Sequence, residues 1–211
     1  MGYSEIINNL DKFVTNAVKN NIACKNCEYL FTRFLFTDAP VVEIGLTGSR
    51  QAAVNKQAAY WIIEDIGNNA GNLYKNKNVE IEFRLNSGEK IDVMIDGNSK
   101  FGVEYKWYGG DNTVAQSTFL SQFVKRDLTF FDGASSFQWR IKGSKLTKDK
   151  VFEYLSSPEG KDALNSLKIV NESKFLKLFG NSAIDFKKGN NVFDIEIIQT
   201  FLNTNYSLIF K

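Results

Sequence analysis

Histidine is absent from all 211 residues of the chain, and no other feature of the composition excludes as much chemistry. Without histidine, the chain can form neither a Ser-His-Asp triad nor a Cys-His nucleophile, and metal sites with imidazole ligands are excluded. A hydrolytic reaction would therefore have to depend on carboxylates, lysine, tyrosine or a metal ion held by oxygen ligands.

Cysteine is limited to Cys24 and Cys27 in the segment CKNC. One Cys-x-x-Cys pair is half of a zinc site, and neither a second pair nor a histidine completes it. A redox motif would need a preceding strand and a thioredoxin-like pattern, which the sequence does not show. We therefore expect two reduced or partly buried thiols and, with them, a cytoplasmic protein.

Long apolar runs are also missing. The most apolar stretch, Tyr29–Phe36, is short and contains Arg33, so it cannot span a bilayer. The N-terminal segment has charges and asparagines where a secretory signal would be apolar. We therefore expect a soluble protein that has no membrane partner.

Neither sign of charge dominates, because 26 basic residues face 24 acidic ones and the net charge is +2. Contact with nucleic acid would therefore need local basic patches rather than a globally basic protein. Hydrophobic residues make up 43% of the chain and include 18 Phe and 8 Tyr, enough for a core rich in aromatic side chains.

The spacing of apolar residues predicts an α+β (α/β) chain. Helical spacing covers 3–36 and 50–67, and strict alternation then predicts strands over 79–85, 90–96 and 101–107. We therefore expect a central mixed sheet of four or more strands that is flanked by helices.

The remaining segments continue this pattern. A helix is predicted over 113–128, a fourth strand over 136–141, and mainly helices from 147 onward, with either a helix or a strand pair over 171–211. The length favours one domain over 1–211. It would consist of a helical addition at 1–45, a core at 46–145 and a mainly helical addition at 146–211.

Three charged residues on the second and third predicted strands form the clearest candidate for chemistry. Glu104 and Lys106 share one strand face, about 7 Å apart along the strand, and the neighbouring strand can bring Asp92 beside Glu104. Two carboxylates this close need a compensating cation, for which Mg²⁺ is the natural choice, and the Tyr105 carbonyl could be a further ligand. Lys106 could orient a water molecule and offset negative charge at a phosphate.

This arrangement resembles the PD-(D/E)xK nuclease superfamily over about residues 50–142. The resemblance depends on Asp92, Glu104, Lys106 and the order of the elements, with Ile91 at the position of the family's Pro. It implies a restriction-endonuclease-like core and Mg²⁺-dependent hydrolysis of double-stranded DNA, with Mn²⁺ able to replace Mg²⁺. The size of the chain is similar to that of a small type II restriction endonuclease, which acts as a homodimer.

Two further residues are catalytic candidates. Glu64 lies on the helix before the sheet, where many family members carry a carboxylate, and Gln122 lies on the helix that follows the catalytic strand. For both residues, a solvated helix surface is the alternative interpretation.

Polar and basic side chains after the third strand are candidates for contact with DNA, because the loop from Gly109 to Thr113 leaves the catalytic strand directly. Such side chains can bind phosphate or base edges. The candidates are Asn112, Thr113, Gln116, Ser117, Lys125, Arg126, Arg140 and Lys142.

Three alternatives stay open at the level of sequence. The same chemistry would suit a polymorphic toxin nuclease that acts in the cytoplasm of a target cell and has an immunity protein as its partner. The fold could also serve a non-catalytic protein that binds nucleic acid. Finally, Asp92, Glu104 and Lys106 could form an ordinary solvated sheet face with a surface ion pair.

Overall fold

The computed structural model describes residues 3–28, 30, 59–96, 100–107, 113–142 and 146–211. The chain forms two compact units, Met1–Trp107 and Tyr108–Lys211. The boundary between them lies directly after the third predicted strand, within the segment predicted as the core.

Within the described part of the first unit, residues 27, 28 and 30 are helical, and two further helices and four strands are present. They are α1 Tyr3–Lys19, β1 Ala23–Lys25, α2 with described residues 59–69, β2 Asn78–Arg84, β3 Lys90–Asp96 and β4 Phe101–Trp107. The three strands predicted from alternation are confirmed to within one residue at each end.

The strands of this unit pair in the order β1-β2-β3-β4. β1 runs parallel to β2, whereas β2–β3 and β3–β4 are antiparallel. The turn between β2 and β3 is closed by a bond from Gly88 N to Leu85 O of 2.9 Å, and Gly88 has a φ of +88° that glycine adopts without strain. The prediction of an α+β protein with a mixed sheet of four or more strands flanked by helices is confirmed.

Helices α1 and α2 pack on one face of this sheet. Residues at helical spacing, Phe13 on α1 and Ile63 and Ile66 on α2, meet strand residues at alternate positions, such as Val93 and Val103. Because side chains alternate between faces along a strand, this core places Asp92, Glu104 and Lys106 on the opposite face.

The helical prediction over 3–36 is wrong at Ala23–Lys25, which form strand β1, whereas residues 27, 28 and 30 are helical and 31–36 lie outside the described residues. Helix α1 ends in a Schellman arrangement, in which Ile22 N donates to Ala17 O at 2.9 Å and Asn21 N to Val18 O at 3.1 Å. Asn21 has a φ of 52°, a left-handed conformation that asparagine tolerates better than most residues. The pair Asn20-Asn21 followed by apolar Ile22 was the sequence signal for this helix end.

The expectation of two thiols is also wrong, since Cys24 and Cys27 form a disulfide with a Cα–Cα distance of 5.8 Å. Asn26, between them, has a φ of 63°, and this turn helps to bring the two cysteines together. Cys27 is buried in the core, whereas Cys24 is half-buried on β1.

The second unit is mainly helical around strand β5, Phe137–Lys142. Its first helix, α3, has α-helical ends, Gln116–Phe119 and Leu128–Phe130, and a π-helical middle, Leu120–Asp127. The later helices are α4 Lys148–Ser156, α5 Pro158–Val170, α6 Glu172–Phe179 and α7 Asn191–Ile209. Residues after 171 therefore form helices rather than a strand pair, except for the single bridge from Trp139 to Phe210.

Aromatic rings dominate the core of the second unit, as the composition predicts. Phe119 and Phe123 stack at 4.9 Å, and each makes an edge contact with Trp139 at 5.6 and 5.7 Å. Trp139 itself is fully buried. In the parts of the chain that the structure describes, no helix is both long enough and apolar enough to cross a membrane.

Gly160 lies at the start of α5, where the backbone of the preceding helix approaches it closely. A Cβ atom there would lie 2.1 Å from the carbonyl oxygen of Tyr154 and 2.6 Å from that of Leu155, and backbone atoms cannot move aside easily. We expect Gly160→Ala to lower the free energy of unfolding by about 3 kcal/mol in a urea titration. Gly133→Ala is the control, because no atom lies within 4 Å of its Cβ position. Equal stability of the two variants would contradict this packing.

Candidate active site

Asp92 and Glu104 are neighbours on adjacent strands. The antiparallel register pairs Val93 with Val103 and Met94 with Gly102, and one further step places Asp92 opposite Glu104. Two hydrogen bonds connect the strands at this position. Asp92 N donates to Glu104 Oε1 at 3.3 Å, and Tyr105 N donates to Asp92 Oδ2 at 2.8 Å. Each carboxylate is therefore held by a backbone N–H of the other strand.

Lys106 extends this pair along β4. Its Nζ atom lies 2.6 Å from Glu104 Oε2, and the side chains of Lys106 and Glu104 are only 13% and 2% exposed. A solvent-facing ion pair, one of the alternatives above, would leave these groups in water, where such pairs contribute little. A charge pair removed from water costs desolvation energy, which favours a functional reason for its presence.

The donor chemistry of this pair fits Mg²⁺. Carboxylate oxygens are hard ligands, and proteins commonly hold Mg²⁺ with one or two carboxylates while the ion keeps several waters. Within the described ranges, no group of three or more acidic, cysteine or histidine side chains is arranged to hold a metal ion. Asp92 and Glu104 would therefore form a site with two carboxylates, which the Tyr105 carbonyl could supplement.

Glu82 is a neighbour of the site that the sequence analysis missed. The β2–β3 register pairs Ile81 with Val93 and Phe83 with Ile91, so Glu82 lies across from Asp92. Its φ of 52° is unusual for a strand residue. Its carboxylate lies 2.5 Å from Lys90 Nζ, so Glu82 already compensates a cation of the same sheet face. In the sequence, Glu82 could have been recognised by its place in the alternating pattern of β2, on the same face as Glu80.

Glu64 is half-buried on α2, whose apolar side chains pack on the core face of the sheet. Among the residues that the structure describes, no group of three or more potential metal ligands is found, and the catalytic role of Glu64 stays a prediction. The carboxylate next to it, Asp65, is instead buried within the first unit.

Gln122 lies in the second unit, on the π-helical middle of α3. Its Oε1 atom is buried and has no hydrogen-bond partner in the described part of the chain. Short π-helical segments are frequent at functional sites, and a buried amide oxygen without a partner is rare enough to need an explanation. The catalytic role of Gln122 stays a prediction, with these two features in its favour.

The predicted DNA-binding residues on α3 differ in exposure. Ser117 and Lys125 are exposed, and Gln116 donates to Ser157 Oγ at 3.0 Å. Arg126 is 6% exposed, and its Nε donates to buried Asp127 Oδ1 at 2.6 Å. This burial favours a structural role for Arg126 over contact with DNA.

The other predicted DNA-binding residues are distributed around the second unit. Thr113 and Arg140 are half-buried, and Lys142 is exposed at the end of β5. Asn112 lies outside the described residues. Contact of these side chains with DNA stays a prediction.

Comparisons with known proteins add no relative, since no family model, curated protein or solved structure matches this chain.

Proposed function

We propose that this protein is a Mg²⁺-dependent endonuclease that hydrolyses phosphodiester bonds in double-stranded DNA, with a restriction-endonuclease-like core and the activity of a type II restriction enzyme. One observation carries the proposal. Asp92 and Glu104 lie side by side on adjacent strands, with Lys106 2.6 Å from Glu104 and little of either Glu104 or Lys106 exposed. The absence of histidine supports it, because few other hydrolytic sites are open to this chain.

Each residue has a distinct part in the proposed reaction. Asp92 and Glu104 would hold Mg²⁺, with Tyr105 contributing its carbonyl oxygen, and Mn²⁺ would be an effective substitute. The bound ion would supply Lewis acidity to a phosphate oxygen and lower the pKa of a coordinated water. The Lys106 ammonium would orient the attacking water and stabilise the negative charge that develops on the phosphate.

The burial of the site gives Lys106 a further task. Its ammonium neutralises Glu104 at 2.6 Å, so two carboxylates can stay adjacent before a metal ion is present. With Asp92 and Glu104 holding Mg²⁺, the Lys106 ammonium would be available to the phosphate.

The proposal is tested by incubating the purified protein with a panel of plasmid DNA, linear duplex DNA, single-stranded DNA and RNA. The expected result is cleavage that requires Mg²⁺ or Mn²⁺ and is abolished by chelation. End-mapping of the products then gives the strand polarity and any sequence preference. If no divalent ion supports cleavage of any substrate, the proposal is wrong and the non-catalytic alternative is favoured.

The pattern of products separates the two nuclease alternatives. Defined plasmid fragments are expected for a restriction enzyme, whereas a smear would favour a toxin nuclease with an immunity protein. The genes next to its own give an independent observation, since a methyltransferase gene favours restriction and a small acidic immunity gene favours a toxin.

A further inference from the structure

A buried hydrogen-bonded cluster lies in the first unit, on the core side of β4. Its centre is Asp65 on α2, which is 8% exposed. Its Oδ2 atom accepts bonds from the hydroxyls of Tyr105 at 2.5 Å and Tyr74 at 3.1 Å, and its Oδ1 atom accepts one from Asn69 Nδ2 at 2.9 Å. Several donors therefore offset the cost of burying this charge.

Tyr105 connects this cluster to the candidate active site. Its side chain points into the core, where its ring also meets Trp61 edge-on at 5.1 Å. Its backbone N–H donates to Asp92 Oδ2 at 2.8 Å, and its carbonyl is the proposed third ligand. One residue is therefore bonded to Asp65 through its hydroxyl and to Asp92 through its backbone.

We propose that Asp65 is a positioning residue for the metal site, acting through Tyr105. The inference depends on the proposed function for the identity of the site. Asp65 is anchored to a packed helix, so its bond to the Tyr105 hydroxyl fixes the Tyr105 ring relative to α2. The position of the ring in turn fixes the backbone segment that orients the Asp92 carboxylate.

Tyr74 provides a matched comparison within the same cluster. Its hydroxyl also bonds to Asp65, and Tyr74 and Tyr105 are 0% and 5% exposed, so removal of either hydroxyl has a similar cost in stability. Only Tyr105, however, carries a backbone group that contacts Asp92. A purely structural cluster would make the two tyrosines equivalent, whereas a positioning role would not.

The test measures Mn²⁺ binding by electron paramagnetic resonance in the full-length protein, without nucleic acid. Tyr105→Phe and Asp65→Asn are each expected to raise the Kd for Mn²⁺ about 10-fold, the usual effect of losing a group that orients a metal ligand. Tyr74→Phe is expected to stay within about 2-fold of the wild type, and Asp92→Asn identifies the site by abolishing the binding. Thermal unfolding of each variant checks that it is folded.

Two results would overturn the inference. The first is that Tyr105→Phe and Tyr74→Phe have the same Kd for Mn²⁺. The second is that Asp92→Asn binds Mn²⁺ as tightly as the wild type, or that the wild type does not bind Mn²⁺. DNA cleavage by the same samples is scored separately. If Tyr105→Phe binds Mn²⁺ more weakly but the wild-type protein cleaves no DNA, the positioning role is supported and the nuclease proposal is rejected. If the wild-type protein cleaves DNA but Tyr105→Phe leaves the Kd for Mn²⁺ unchanged, the nuclease proposal is supported and the positioning role is rejected.

Discussion

Asp92→Asn is expected to reduce Mg²⁺-dependent cleavage ~10³-fold, because it removes one of the two carboxylate charges that would hold the metal ion. Loss of about 4 kcal/mol of transition-state stabilisation corresponds to that factor. The amide oxygen of asparagine can still accept the bond from Tyr105 N, so the fold of the β3–β4 pair should persist. The measurement is the initial rate of plasmid cleavage at saturating Mg²⁺.

Glu80→Gln is the control for Asp92→Asn. Glu80 lies on β2, half-buried, and its carboxylate pairs with Lys25 at 3.0 Å. Loss of this charge should leave the cleavage rate within about 2-fold of the wild type, because exposed pairs contribute little. If both variants cleave at the wild-type rate, the site is not at Asp92.

Lys106→Met provides the complementary measurement. It should lower the cleavage rate ~10²-fold, the usual effect of removing one group that stabilises developing charge. Lys90→Met is the control, because Lys90 also pairs with a carboxylate on a strand, Glu82 at 2.5 Å. A similar loss of rate in both variants would assign the effect to sheet stability instead of catalysis.

Asp127→Ala is expected to have the largest effect on stability, about 3–5 kcal/mol, because it breaks a buried ion pair. Asp127 is 0% exposed, its Oδ1 accepts from Arg126 Nε at 2.6 Å, and its Oδ2 accepts from Trp139 Nε1 at 2.6 Å. Both bonds lie inside the aromatic core of the second unit. The change is read as the free energy of unfolding from a urea titration.

Asp132→Ala serves as the surface counterpart, since the Asp132 side chain is 89% exposed and pairs with Lys174 at 3.9 Å. Its stability should stay within roughly 1 kcal/mol of the wild type. Asp127→Asn should be intermediate, because its single amide oxygen can keep the bond from Trp139, whereas its NH₂ group cannot accept the bond from Arg126. Loss of less than 1 kcal/mol in Asp127→Ala would show that the pair does not stabilise this core.

The parts of the fold that follow from local pattern were predictable. Strict alternation defined β2 to β4, and the turn Asn86-Ser87-Gly88 predicted the antiparallel pairing of β2 with β3. Strand β1 has three residues, too few for alternation to be recognised, and its parallel partner β2 is more than fifty residues away. Its pairing could be found only in three dimensions.

The surroundings of the site were less predictable, since they depend on contacts between distant residues. Lys125 and Arg126 are equivalent in sequence as a basic pair, yet one is exposed and the other buried against Asp127. The π-helical middle of α3 was also missed, because an apolar spacing of three and four suits an α-helix equally well. Asp65 meets Tyr105 across forty residues, and nothing local distinguishes it from its neighbour Glu64.

The short strand β1 also limits how copies of this protein can associate. Among the described strands it is the outermost on its side of the sheet, and it exposes Lys25, whose side chain is 70% accessible. A sheet edge of three residues with a charged side chain is a poor template for a strand of another molecule. If the proposed enzyme is a homodimer, its subunits are therefore not expected to associate by extending the sheet at this edge.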